Sequence, residues 1–326
     1  MREGALVSGR FSLEAEVGAG GGGRVFRARD LVDGAAVAVK CVSQLDARSL
    51  ARFTREAVLL ARLSHPGLLR YLGHGTADDG TPWLATEWLE GEDLRRHLSR
   101  RASVRRFSPS EATLASLERT PEGIRAASGR LAGREVLALL RRVAAALAAL
   151  HVEGLLHRDI KPSNVFLVNG LTSQAKVIDL GTARTAHGPG DLTRPGYLVG
   201  TPSYMAPEQA RGGAELTPAV DVWALGCVAY ECLSGEPPFR GNDLADTLSR
   251  IQHEEPSSLF ALGLDAPELL LGLVHRMLSK HPRGRPADGA ALVEELELIG
   301  VVSGGEAAPL EAALGEAERR IGCSLW

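Results

Sequence analysis

His157, Arg158, Asp159, Lys161 and Asn164 fall within eight residues, and Asp179 follows fifteen residues after Asn164. A carboxylate at 159 can accept a hydroxyl proton. An ammonium two residues on can offset the charge of a phosphate. The amide oxygen of Asn164 and the carboxylate of Asp179, if they converge, can hold Mg²⁺, which takes oxygen donors. Together these groups meet the needs of phosphoryl transfer, in which a protein mostly positions reactants and stabilises charge.

Phosphate chemistry also needs a cradle, and the N-terminal stretch offers one. Gly18, Gly20 and Gly23 belong to a glycine run between Phe11–Val17 and Val25–Ala28, two segments that read as strands. Glycines let backbone approach phosphates closely. The extra Gly21 and Gly22 predict a mobile lid. Past the Asp33-Gly34 turn, Ala36-Val37-Ala38-Val39 alternates into Lys40. The next periodic stretch, Ser49 to Leu63, reads as a helix with Glu56 in its middle. Leu68–Leu72 and Trp83–Glu87 read as two further strands.

His-Arg-Asp-x-Lys-x-x-Asn followed by Asp-x-Gly resembles the catalytic and magnesium loops of eukaryotic-type Ser/Thr protein kinases. The glycine hairpin and the Ala-Val-Ala-Val-Lys strand match in order, as do Gly200-Thr201-Pro202-Ser203-Tyr204-Met205-Ala206-Pro207-Glu208 and Asp221-Val222-Trp223. This resemblance runs from Phe11 to about Ile299. It implies a bilobal α+β fold, with a five-stranded antiparallel sheet and one main helix before a mostly helical lobe. The expected boundaries are 1–88 for the first lobe, 89–299 for the second, and 300–326 for a tail.

The resemblance also assigns roles. Lys40, braced by Glu56, would hold the ATP phosphates under Gly18, Gly20 and Gly23. Val25, Ala38 and Phe166 would sandwich adenine. The backbone of Glu87 and Leu89 would hydrogen-bond its edge, and Thr86 would guard the pocket behind. Asp159 would be the base, Lys161 the charge partner of the moving phosphoryl group, and Asn164 and Asp179 the Mg²⁺ ligands. Leu60, Tyr71, His157 and Leu180 would form the apolar stack between the lobes. Thr201 would belong to the peptide floor. Glu208, Asp221 and Arg285 would be structural, with Arg285 pairing Glu208. Arg158 would receive a phosphate on Thr193, which implies self-association for trans-autophosphorylation. Lys161 together with Gly200-Thr201-Pro202 points to Ser/Thr acceptors on protein substrates. Leu180 departs from the usual Phe but stays apolar. A catalytically dead scaffold would lack one of the metal, base or phosphate residues. A small-molecule phosphotransferase would lack the 200–208 segment and Asp221.

Composition narrows the setting. The 326 residues carry a net charge of −3, with 44% hydrophobic residues, which argues against bulk nucleic-acid binding. Cys41, Cys227, Cys232 and Cys323 are scattered, as in a reduced, cytoplasmic protein. The most apolar run, Val136 to Leu156, is broken by Arg141, Arg142, His151 and Glu153, so no membrane span is expected. Lysine occurs only at 40, 161, 176 and 280, and heavy Arg, Ala and Gly use suggests a GC-rich bacterial source. Two of these four lysines fall where phosphate chemistry wants a compact ammonium.

Two regions depart from the family pattern. Residues 99–130 begin with Arg100, Arg101, Arg105 and Arg106 and continue as a polar Ser/Glu/Pro/Gly stretch, which reads as an insertion outside the core. In the tail, Leu310, Leu314, Ala317 and Ile321 share a helical face after Pro309.

Overall fold

The computed structural model describes residues 1–20, 23–42, 47–105, 129–180, 184–185, 202–212 and 216–303. Gly21, Gly22, Thr193, Thr201 and the tail from 304 lie outside them, as does the 106–128 part of the insertion.

The chain opens with β1 (Leu6–Val7), β2 (Phe11–Gly20), β3 (Gly23–Asp30) and β4 (Ala36–Cys41). Helix α1 (Ala47–Arg62) precedes β5 (Tyr71–Thr76) and β6 (Pro82–Glu87). All pairings in this sheet are antiparallel, in the order β1-β2-β3-β4-β6-β5. Among the described residues the sheet therefore has six strands where five were expected. The addition is β1, a two-residue strand whose Leu6 and Val7 lie opposite Ser12 and Phe11. β5 starts at Tyr71, later than the Leu68 expected. Leu68 instead makes an isolated parallel bridge to Val177.

Strand alternation sorts the two faces of this sheet. Phe26, Ala28, Val37, Val39, Trp83 and Ala85 bury into one cluster with Phe11 and Leu13. Val25, Ala38, Lys40 and Thr86 take the other parity and share the opposite face. That face also carries Leu84, which joins Phe53, Ala57 and Leu60 of α1 in the main core.

Beyond β6 come β7 (Gly91–Asp93), α2 (Leu94–Arg105), α3 (Gly133–Val152), β8 (Leu155–Leu156), β9 (Val165–Val168), β10 (Ala175–Val177) and β11 (Arg184–Thr185). β7, β9 and β10 form a small sheet, and β8 pairs with β11. At Gly91 (φ 140°) a Cβ would lie 2.1 Å from the Leu167 carbonyl oxygen, so glycine lets β7 approach β9 this closely. The helical part continues with α4 (Pro207–Ala210), α5 (Ala219–Ser234), α6 (Leu244–His253), α7 (Glu268–Met277) and α8 (Gly289–Ser303). α5 is apolar nearly all round and almost wholly buried, as a central helix must be. It stops at Gly235, whose left-handed φ of 90° is a favourable helix C-cap. α3 begins where Glu135 reaches back to accept the Ala132 N–H at 2.8 Å.

α2 carries through position 99 to Arg105, so this end of the 99–130 stretch belongs to the helical part. Arg100 pairs with Glu92 at 2.6 Å and Arg101 with Glu135 at 2.9 Å. At the far end, Arg130 Nε donates to the Ser234 carbonyl at 2.9 Å. Both described ends of the 99–130 stretch are thus tied to the helical part. α8 likewise runs past the expected boundary at 299 to Ser303. No helix among the described residues is long and apolar enough to cross a membrane.

Candidate active site

The loop between β8 and β9 is held from below by one side chain. Asp221, at the start of α5, is fully buried and accepts the backbone N–H groups of His157 and Arg158, both at 2.8 Å. His151 of α3 bonds the same carboxylate through Nε2 at 3.0 Å. Its Nδ1 accepts the Gly289 N–H at 3.0 Å, which assigns the remaining proton to Nε2. Burial alone would raise the Asp221 carboxyl. The His151 hydrogen bond, the electrostatic influence of the His151 and His157 rings and the Arg158 N–H outweigh it and hold the group below the usual carboxylate range. These bonds stabilise an unfavourable backbone, because Arg158 has a φ of 65° in the left-handed region. Asp179 has a φ of 66° as well, so both loops carry strain of the kind found at functional sites.

Above this support, the side chains of Asp159, Lys161 and Asn164 converge. Lys161 Nζ donates to the two Asp159 carboxylate oxygens at 3.0 and 2.7 Å. Asn164 Nδ2 donates to the Asp159 backbone oxygen at 2.8 Å and to its carboxylate at 3.1 Å. A 3₁₀ turn over Pro162–Asn164 brings the amide back toward the aspartate. With its NH₂ committed, Asn164 has its amide oxygen left to offer a cation. Among the described residues no three His, Cys, Asp or Glu side chains cluster as a cation cage. The Ile178 N–H, one residue before Asp179, donates to the Asn164 backbone oxygen at 2.9 Å, and an amide oxygen with a carboxylate would suit a hard divalent ion that keeps water and phosphate in its remaining positions.

The cleft face of the larger sheet supplies the other groups. Val25 lies opposite Lys40, Ala38 opposite Thr86, and Lys40 opposite Leu84. Gly18 pairs with Val25 and Gly20 with Gly23 at the hairpin end. Glu56 falls within α1, with its side chain outside the described residues. Phe166 on β9 lies opposite Lys176 of β10 on one side and Asp93 of β7 on the other. His157, Leu60 and Leu180 are buried, and Tyr71 packs on the core that contains the two leucines.

Farther from the cleft, Arg285 is wholly buried and forks onto Glu208 at 2.6 and 3.0 Å. It also donates to the backbone oxygens of Ser279, Ala219 and Lys280. Its guanidinium lies over one face of Trp223 at 4.8 Å. Lys280 Nζ sits 3.8 Å from the Phe239 ring, which is stacked on Trp223, and donates to the Ile251 carbonyl at 2.8 Å. Burial pushes this ammonium down to about 8. Tyr204 donates to Glu231 at 2.6 Å, and burial raises both groups above their ordinary values.

A protein-family model described as the protein kinase domain matches residues 11–296. The chain belongs to the protein kinase family. It is 33% identical over 307 residues to the serine/threonine-protein kinase Pkn3 of Myxococcus xanthus, covering 91% of this chain and 51% of that protein. Over 305 residues it is 32% identical to the serine/threonine-protein kinase PknA of Mycobacterium tuberculosis, covering 91% and 63% respectively. The DNA damage-responsive serine/threonine-protein kinase RqkA of Deinococcus radiodurans is 33% identical over 291 residues, covering 89% and 39%. The chain thus spans between about two-fifths and two-thirds of the length of these curated relatives. The family uses ATP and a divalent cation in general.

Two features of the site were not read from the sequence. Asp93 stands beside Phe166 by register, and its carboxylate accepts the Arg96 N–H at 3.0 Å. Lys176 reaches Glu87 at 2.6 Å. The Glu-Asp-Leu before a helix could have flagged Asp93 as an N-cap. No local signal marks a lysine paired across 89 residues.

Proposed function

We propose that this chain is a serine/threonine protein kinase domain that transfers the γ-phosphoryl group of ATP·Mg²⁺ to protein hydroxyls. The observation that carries the reading is the Asp159 carboxylate, bonded by both Lys161 and Asn164 on a loop whose backbone hangs from buried Asp221. Asp159 orients the acceptor hydroxyl and takes its proton as the oxygen attacks phosphorus. Lys161, already on the Asp159 carboxylate, offsets charge on the transferred group. Asn164 and Asp179 hold Mg²⁺, which when bound neutralises phosphate charge. Lys40 and the glycine hairpin hold the phosphates, and the Glu87–Leu89 backbone meets the adenine edge between Val25, Ala38 and Phe166.

Thr201 at the peptide floor and Thr193 as a phosphate acceptor for Arg158, made in trans by a second copy, complete the proposal on sequence grounds. The test is transfer from labelled ATP to a generic protein acceptor, followed by acid hydrolysis to identify the labelled amino acid. Phosphoserine and phosphothreonine that disappear in Asp179→Ala support the reading. Label on tyrosine alone, or label that persists in Asp179→Ala, contradicts it.

A further inference from the structure

Glu87 ends β6 where the chain crosses from the sheet to the helical part, and its side chain is the meeting point of three segments. Lys176 Nζ of β10 donates to Glu87 Oε1 at 2.6 Å and to the Leu68 carbonyl at 3.3 Å. The same carboxylate oxygen accepts the Arg70 N–H at 2.8 Å, and the Glu87 N–H returns to the Arg70 carbonyl at 3.0 Å. Both charged side chains are largely shielded, at 15% and 17% exposure. A charge-assisted bond so shielded is stronger than a pair in open solvent. Register places Lys176 opposite Phe166, and Asp179 lies three residues farther along the same chain. One ammonium therefore joins the strand beside the base floor to the residue whose backbone carbonyl would meet the nucleobase.

Resting on the kinase reading above, we propose that Lys176 is a positioning residue that sets nucleobase choice. It fixes the Glu87 peptide so that its carbonyl accepts the amino N–H of adenine. Guanine presents an oxygen acceptor at the equivalent position. Against a fixed carbonyl it sets acceptor on acceptor and leaves both unpaired, the condition under which a polar site discriminates well. Without the ammonium, the Glu87 carboxylate keeps the Arg70 N–H but lies shielded and uncompensated, and it turns toward water. The peptide turns with it, and a carbonyl free to rotate no longer rejects guanine.

The test is calorimetric binding of ADP and of GDP to the full chain, read without turnover. Wild type prefers ADP. In Lys176→Met the preference falls about tenfold, through weaker ADP and tighter GDP, the size of one hydrogen bond to the base. Lys176→Arg retains the cation and the preference. Glu87→Gln shifts the preference in the same direction as Lys176→Met, and the double variant is no worse than the worse single one, because both act through one bond. Should Lys176→Met fail to fold, Glu87→Gln, which keeps an acceptor for Arg70, carries the same comparison. Equal weakening of ADP and GDP, an unchanged preference in the folded variants, or no ADP preference in wild type overturns the assignment. A wild-type chain that binds ADP selectively yet transfers no phosphoryl group overturns the kinase reading instead.

Discussion

Asp221→Asn changes one oxygen to an NH₂ with almost no change of shape, at a fully buried position. The carboxylate accepts His157 N–H and His151 on one oxygen and Arg158 N–H on the other. An amide that keeps its oxygen toward His157 and His151 turns its NH₂ toward the Arg158 N–H, donor against donor. One buried donor left unpaired costs about 1–3 kcal/mol. The left-handed backbone of Arg158, with its φ of 65°, then loses the bond that compensates its strain of order 1 kcal/mol. The expected loss is about 2–4 kcal/mol, which lowers Tm by roughly 3–6 °C for a domain of this size. Because the bond aims the loop that carries Asp159, kcat should fall ~10–100-fold with little change in KM for ATP. The pH dependence has a definite sign. The Asp221 carboxyl titrates below its unfolded value in the native chain, so its contribution is complete above pH ~4 and fades as pH falls through the lower folded value. The stability gap between wild type and variant should be constant near neutrality and close in acid. Scanning calorimetry across pH, with steady-state kinetics, reads both. A Tm change under about 2 °C with wild-type kcat would refute the role given to Asp221.

Lys280, whose ammonium burial pushes down to about 8, gives up its proton in the folded chain before the unfolded chain does. Wild-type stability relative to Lys280→Met should therefore rise from pH ~8 to ~10.5. The rise should be about 1 kcal/mol, since the half-exposed amine is screened by solvent; denaturant titrations at pH values across that window check it. Arg285→Met strands Glu208 and should cost about 3–5 kcal/mol by urea unfolding, with part recovered in Arg285→Met/Glu208→Gln. Replacing 106–128 by a short Gly/Ser linker should leave Tm within about 2 °C, whereas replacing 99–130 also removes the Arg101–Glu135 pair and the Arg130–Ser234 bond and should lower it further. Thr86→Met should weaken ATP-site inhibitors carrying a ring behind the hinge while sparing KM for ATP, measured as the ratio of inhibition constants for the two forms.

Much of this molecule could be read locally. Alternation through Ala36–Lys40 placed the strand, and helical spacing from Leu50 to Leu63 placed α1 to within about two residues at the N-terminus. The catalytic loop was legible because its groups lie within eight residues and must converge there. What escaped depends on contacts far along the chain. β1 is two residues long and exists only because Phe11–Ser12 offers it a partner. The polar start of the 99–130 stretch resembles a solvated insertion until Glu92 and Glu135 are seen opposite Arg100 and Arg101. The two lysines with no phosphate assignment, Lys176 and Lys280, acquire meaning from Glu87, Phe239 and Trp223, none of them near in sequence.

The central claim is that Asp159, aimed by Lys161, Asn164 and Asp221, serves phosphoryl transfer to a protein hydroxyl. The most direct measurement is the initial rate of transfer from labelled ATP·Mg²⁺ to a Ser/Thr acceptor by wild type and by Asp159→Asn, with matched Tm and matched ADP affinity as controls. The account predicts a fall in kcat of at least ~10²-fold at unchanged nucleotide affinity, the size expected for losing a positioned general base. Transfer by folded Asp159→Asn at the wild-type rate would contradict it.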